Sequence, residues 1–100
     1  MFKDIVTLVK PIFQEDTRKQ KRRVDEEKRE VFANKRSIAQ MEFMQAAQAG
    51  IKARHCFIIR LIDYEEETEL IYNDVFYSIY RVYEKGENIE LYCEVRVGGS

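Results

Sequence analysis

Apolar and polar positions change rhythm several times along the chain, and each change predicts an element. Ile5-Val-Thr-Leu-Val-Lys10 is rich in β-branched residues and is followed by Pro11, the only proline. This predicts a first strand with Pro11 at its end or on a sheet edge. From Gln14 to Asp25 almost nothing is apolar. The stretch is too polar to bury and too long for a tight turn, so a projecting loop is expected over residues 14–25. Glu30-Val-Phe-Ala33 resumes an apolar pattern and reads as the end of a second strand. Ser37-Ile-Ala-Gln40 has capping-box spacing, with a hydroxyl at the N-cap and an amide side chain three residues on. Met41, Phe43, Met44 and the alanines at 46, 47 and 49 then suit a helix of about three turns, closed by Gly50 at the left-handed C′ position. Apolar residues occupy much of its circumference, so this insertion over 37–50 is expected to touch both its own domain and a neighbour.

Beyond the helix the period becomes two. His55–Ile62 reads as a strand with both faces at least partly buried. Glu69–Tyr72 and Val75–Tyr83 flank Asn73-Asp74, a pair that tolerates the positive φ of a type I′ hairpin turn. Lys85-Gly86-Glu87-Asn88 makes the next turn. In the last strand Ile89, Leu91, Cys93, Val95 and Val97 point one way and Glu90, Tyr92, Glu94 and Arg96 the other. The expected fold is mainly β: a small antiparallel barrel or sandwich of about six strands, one short helix inserted between the second and third, and a long basic loop. Residues 1–100 form a single domain with no repeat or linker.

Composition narrows the function classes. Apolar residues are 45% of the 100 and charged residues 35%, with 17 basic against 18 acidic for a net charge of −1. A wholesale polyanion binder would be strongly basic. No apolar run spans a membrane, and the start, Met-Phe-Lys-Asp-Ile, has no leader-like apolar stretch. A cytoplasmic setting with both cysteines reduced is expected. Near-neutrality hides an order, however. Residues 1–54 carry 13 basic and 8 acidic side chains, whereas residues 55–100 carry 4 and 10. The basic peak is Arg18, Lys19, Lys21, Arg22 and Arg23; the acidic peak is Asp63, Glu65, Glu66, Glu67 and Glu69. They are either two solvated loops or the complementary ends of neighbouring subunits.

A search for catalytic chemistry yields little. His55, the only histidine, adjoins Cys56, but strand neighbours face opposite ways; a cross-strand pairing with Cys93 is the weaker possibility. These three ligands are too few and too scattered for zinc, the acidic cluster lacks the glycine of a calcium loop, and no glycine-rich phosphate loop exists. No enzyme activity, metal or cofactor is expected. All six tyrosines lie between Tyr64 and Tyr92, interleaved with glutamates. Tyrosines on a β surface stack bases in single-strand binders, which makes an OB-like nucleic-acid binding barrel the alternative reading. A phosphate backbone would meet net negative charge there, so packing or a protein interface is favoured.

Several motifs recur together: Glu30-Val-Phe-Ala33, Glu42-Phe43, Ala46 to Gly50, Ile59-Arg-Leu-Ile-Asp-Tyr64, the Tyr72-Asn-Asp hairpin, Tyr77-Ser-Ile-Tyr-Arg-Val-Tyr83 and Glu90-Leu-Tyr-Cys-Glu94. In this order and spacing, over about residues 4 to 98, the chain closely resembles the head closure (head–tail joining, or stopper) proteins of tailed bacteriophages and prophages of low-GC Gram-positive hosts. The resemblance implies a small β-barrel in a typically dodecameric ring of the virion neck, below the portal and adaptor, that closes the DNA channel after packaging and offers a platform for the tail. It implies neither catalysis nor cofactor. The partners it implies are further copies of the chain, the portal/adaptor protein and a tail-completion or tail protein, with possible non-specific contact with packaged double-stranded DNA and none with a membrane. The setting is the virion neck, reached through the host cytoplasm. The plug of some relatives matches Arg36–Lys52 here, which makes Met41, Phe43 and Met44 the candidate plug or inter-subunit residues. The basic loop Glu15–Arg23 is the alternative candidate, lining the channel or clasping the adaptor. In isolation the subunit is expected to stay monomeric at low concentration, with loop 14–25 ordered by its partners.

Overall fold

The computed structural model describes residues 2–96. Six antiparallel strands close into one barrel: β1 (Asp4–Glu15), β2 (Lys21–Arg36), β3 (Ala53–Arg60), β4 (Glu69–Tyr72), β5 (Val75–Lys85) and β6 (Asn88–Val95), in the spatial order β1-β2-β3-β6-β5-β4. Helix α1 (Gln40–Gln48) joins β2 to β3, and a 3-10 turn (Leu61–Asp63) follows β3. The expected barrel, its inserted helix and the β4–β5–β6 meander are all present. Val97, assigned above to the last strand, lies outside the described residues.

A six-stranded barrel is narrow enough for side chains to fill it. Val6, Leu8, Phe57, Ile59, Leu70 and Leu91 are buried within one core cluster that draws on every strand. Phe57 anchors it, with the rings of Tyr72 and Tyr77 at 5.2 and 5.8 Å. Asn73 and Asp74 take φ of 49° and 63°, the two positive values of the expected hairpin turn, and Gly86 takes 62° between β5 and β6. Gly50 (φ 78°) closes α1: its N–H donates to the Ala47 carbonyl and that of Ile51 to the Ala46 carbonyl, a Schellman motif.

Four expectations are corrected. First, residues 14–25 are not a loop. β1 runs through Pro11 to Glu15 and pairs with β2 along its whole length, leaving only Asp16–Gln20 as the turn. The segment is polar because neither face of this ribbon meets the core, so an apolar alternation could not mark it. Pro11 is tolerated because β1 pairs with β4 only at Thr7, Leu8 and Val9, which leaves the other edge of β1 open at residue 11. Second, Ser37 does not cap the helix. The N-cap is Ala39, without a side-chain hydrogen bond, and α1 is correspondingly shorter. Third, β3 ends at Arg60 rather than Ile62, where the chain turns into the 3-10 segment. Fourth, β5 continues to Lys85, because the two-residue turn at Gly86-Glu87 pairs Lys85 directly with Asn88.

Candidate interaction surfaces

Past Val9 on one strand and Lys28 on the other, β1 and β2 continue as a two-stranded ribbon. Lys10 to Glu15 adds about 20 Å of strand length at the usual rise. Asp16 orders its tip: one carboxylate oxygen accepts the backbone N–H groups of Arg18 and Gln20, each at 2.9 Å, and Lys19 sits at φ 61°. Arg18, Lys19, Lys21 and Arg22 are exposed around this turn. Arg23 behaves differently. Val24 is an extra residue opposite the Ile12–Phe13 step, and Arg23 donates to Glu69 at 2.8 Å and to Glu26 at 2.5 Å. Those carboxylates, Glu69 foremost, raise its pKa further. The basic peak therefore divides into four outward cations and one that ties the ribbon back to β4.

The acidic peak divides likewise. Glu67 is buried and receives Arg29 of β2 through Nε at 3.0 Å and Nη2 at 2.6 Å. Arg29 also donates to the Asp63 carbonyl at 2.7 Å. Glu69 is held between Arg23 and Arg96, the latter at 3.0 Å. Only Glu65 and Glu66 of the five are exposed, and Glu65 lies 3.9 Å from Arg29. Part of the charge complementarity thus joins the two halves of one chain.

Helix α1 lies against the outside of the barrel by a narrow contact. Ala46 is its only buried residue, and Glu42 is its polar anchor. Tyr80 is an extra residue between the Ile79–Cys93 and Arg81–Tyr92 pairs of β5 and β6, and this bulge lets consecutive side chains reach the same partner. The Tyr80 hydroxyl donates to Glu42 at 2.8 Å, and the Arg81 guanidinium pairs with the same carboxylate while stacking 4.2 Å from the Tyr92 ring centroid. Arg81 chiefly, helped by Tyr80 and opposed by burial, lowers the Glu42 pKa below its ordinary 4.5. A depressed folded pKa stabilises the protein above the unfolded value, and that contribution is lost as pH falls through the folded one. Glu42→Gln is therefore expected to be less stable than the parent at pH 7, with the gap closing below about pH 4. Thermal melts followed by far-UV circular dichroism across that range check it. Outside this anchor the helix presents Met41, Phe43 and Met44 to solvent at 73%, 48% and 56% exposure.

The thiols and the imidazole do not form a nucleophilic site. Cys56 faces the barrel exterior beneath Arg36, Glu90 and Tyr92, and burial pushes its thiol up to about 11. Cys93 is directly opposite His55 in the β3–β6 register, yet its thiol donates to the Leu91 carbonyl at 3.6 Å and burial holds it protonated far above the ordinary range. His55 packs edge-on to Phe57 and Tyr77; burial, then Lys35 and Arg54, lower its pKa. Among the tyrosines, Tyr77 and Tyr92 are buried, and Tyr64, Tyr72 and Tyr80 each place the hydroxyl on an internal acceptor. Tyr83 alone is an exposed ring, at 52%. On β6 the second face is covered as well: Glu90 is 6% exposed, and burial there is outweighed by hydrogen bonds from Tyr92 and Arg36 that keep it ionised.

Sequence reasoning missed the contributors that lie outside the charge peaks, Arg29, Arg36, Arg81 and Glu42, because each is one charge among many until the register brings its partner close. It also missed two adjoining open depressions at the far end of β3. Phe2, Arg60 and Ile62 line both, with Leu61, Glu87 and Asn88 in one and Phe32 and Asp63 in the other. Ile62 is 85% and Phe32 62% exposed. Among the described residues no helix is long and apolar enough to cross a membrane. No protein-family model matches this chain, and no curated protein does either.

Proposed function

We propose that the chain is a structural subunit of a tailed-phage neck: it assembles as a ring below the portal and adaptor, helps close the DNA channel after packaging and joins head to tail. The observation that carries this reading is the ribbon, whose ordered tip holds four outward cations well away from a filled barrel. A barrel filled by a buried side-chain cluster and bearing a charged arm is suited to engaging a neighbouring macromolecule rather than a small ligand. The uncovered apolar side of α1 adds a second surface of the same kind. The order of motifs along the chain supplies the specific assignment. Portal or adaptor, tail-completion or tail protein and further copies of the chain are the proposed partners, in the virion neck after assembly in the host cytoplasm, with non-specific contact between the tip and packaged double-stranded DNA.

Electron microscopy of the chain mixed with candidate portal–adaptor assemblies tests the assignment. Added ring density beneath the adaptor is the expected result. Adaptor rings that stay bare at micromolar excess of the chain would overturn it. An OB-like barrel would instead show salt-sensitive binding of single-stranded oligonucleotides. With five of six tyrosines engaged in packing or internal hydrogen bonds, a flat titration at low salt is expected.

A further inference from the structure

We infer that two copies of the chain pair through the open edges of their ribbons, β2 against β2 and antiparallel, about a two-fold axis between Arg23 and Val24. The contact goes beyond the neck reading and does not rest on it. A two-fold pair has no place in a single cyclic ring, so it belongs to the chain before assembly.

Over residues 21–26, β2 pairs with β1 on one side only, because its pairing with β3 is confined to Asn34, Lys35 and Arg36. Pro11 reveals which backbone groups face the open side. A residue without an N–H cannot exchange both ladder bonds with its partner. Pro11 and Glu26 are therefore a non-hydrogen-bonded pair, and Glu26 turns its N–H and C=O outward. That N–H donates to a side chain, the Asp25 carboxylate, at 2.8 Å. The Glu15–Lys21 pair lies four residues along β1 and has the same parity, so Lys21 faces the open side as well.

An open edge is a template for another strand, and charges of a single sign would guard it. Here the signs stand in mirror order: Lys21 and Arg22 on one side of the axis, Asp25 and Glu26 on the other. Antiparallel pairing sets Lys21 opposite Glu26 of the second copy and Arg22 opposite its Asp25, each twice. The bulge makes the faces agree. Arg22 lies opposite Gln14 and Asp25 opposite Ile12, two residues apart on β1 and so on one face of the ribbon. Lys21 and Glu26, opposite Glu15 and Pro11, share the other face. Without the extra Val24, residues three apart would face opposite ways. Among the described residues Lys21, Arg22 and Asp25 enter no ion pair within their own chain, and Arg23, opposite Val24 of the second copy, keeps its bond to Glu69. Six residues a side make a small contact, so the pair is weak, salt-sensitive and absent in dilute solution. It occupies Lys21 and Arg22, two of the four tip cations, until a neck partner replaces the second copy.

Charge reversal tests the contact by sedimentation at about 1 mM chain and low salt. Arg22→Asp and Asp25→Arg each set like charges across the axis twice, and each is expected to weaken self-association about tenfold or more. Mixed one to one, they again oppose aspartate to arginine at both positions, and a one-to-one pair is expected to return. Arg54→Asp and Glu84→Arg make the same charge changes at exposed positions away from the ribbon, and each should associate like the parent. A crosslink fixes the register. Arg22 and Asp25 of the second copy form a non-hydrogen-bonded pair, with Cα atoms about 4.5 Å apart and within disulfide reach. Arg22→Cys mixed with Asp25→Cys is expected to give a mixed dimer under mild oxidation. Each variant alone should give little, because its two thiols lie about 10 Å apart. Cys56 and Cys93 are fully buried and do not compete. A reversed mixture that stays monomeric, or an Arg22→Asp chain that associates like the parent, overturns the inference. A parent chain that is monomeric at this concentration overturns it too, and leaves the neck assignment, tested on adaptor rings, standing.

Discussion

Arg29→Ala is expected to destabilise the protein by about 3 kcal/mol, lowering its melting temperature by roughly 12–24 °C. The reason lies in Glu67, only 3% exposed, whose one carboxylate oxygen takes two hydrogen bonds from Arg29 and whose other accepts the Glu65 N–H at 2.8 Å. Removing the guanidinium leaves a buried carboxylate with no counter-charge. It also frees the Asp63 carbonyl, so the segment between the 3-10 turn and β4 loses its tie to β2. Arg29→Lys should fall between, since an ammonium cannot satisfy both oxygen acceptors with the same fork. Replacing both partners, Arg29→Met with Glu67→Leu, should recover much of the loss because no charge is then left buried. Urea denaturation of the four proteins measures these differences. A loss under about 1 kcal/mol for Arg29→Ala would show that solvent screens the pair as it does ordinary surface ion pairs.

Glu67 also marks how far charge order alone can be read. The acidic run at 63–69 suggested a surface for a neighbour, and two of its members instead bond arginines of the same chain. Strand period, turn residues and the glycine stop of α1 were legible because each leaves a local mark: alternation at 89–93, two residues tolerant of positive φ at 73–74, and Gly50 after a helical run. The ribbon left no such mark. Its strands are held by backbone hydrogen bonds and bury little, so nothing obliges its side chains to alternate. The bulges were equally silent. Alternation places Tyr80 and Arg81 on opposite faces, whereas the extra residue in β5 aims both at Glu42. The helix anchor was therefore invisible, although the helix and its uncovered apolar residues were not.

Arg18→Glu, Lys19→Glu, Lys21→Glu and Arg22→Glu together are expected to weaken attachment to portal–adaptor assemblies roughly 100-fold at low ionic strength, with the difference shrinking as salt rises. The four side chains are exposed, and Asp16 builds the turn from backbone groups, so stability should change by less than about 1 kcal/mol. Arg23 is left in place because its bonds to Glu69 and Glu26 hold the ribbon to the barrel, and reversing it would confuse lost contact with lost shape. The same variant separates two roles for the tip. If the tip clasps the adaptor, the variant fails to join DNA-filled heads at all. If it lines the channel, the variant still joins them, but the heads leak DNA and the tip no longer shows the salt dependence that phosphate contacts impose. Heads that accept the variant, keep their DNA and take tails would remove the tip from both roles, since a reversal of sign at four neighbouring positions leaves no electrostatic contact of the original kind to act through.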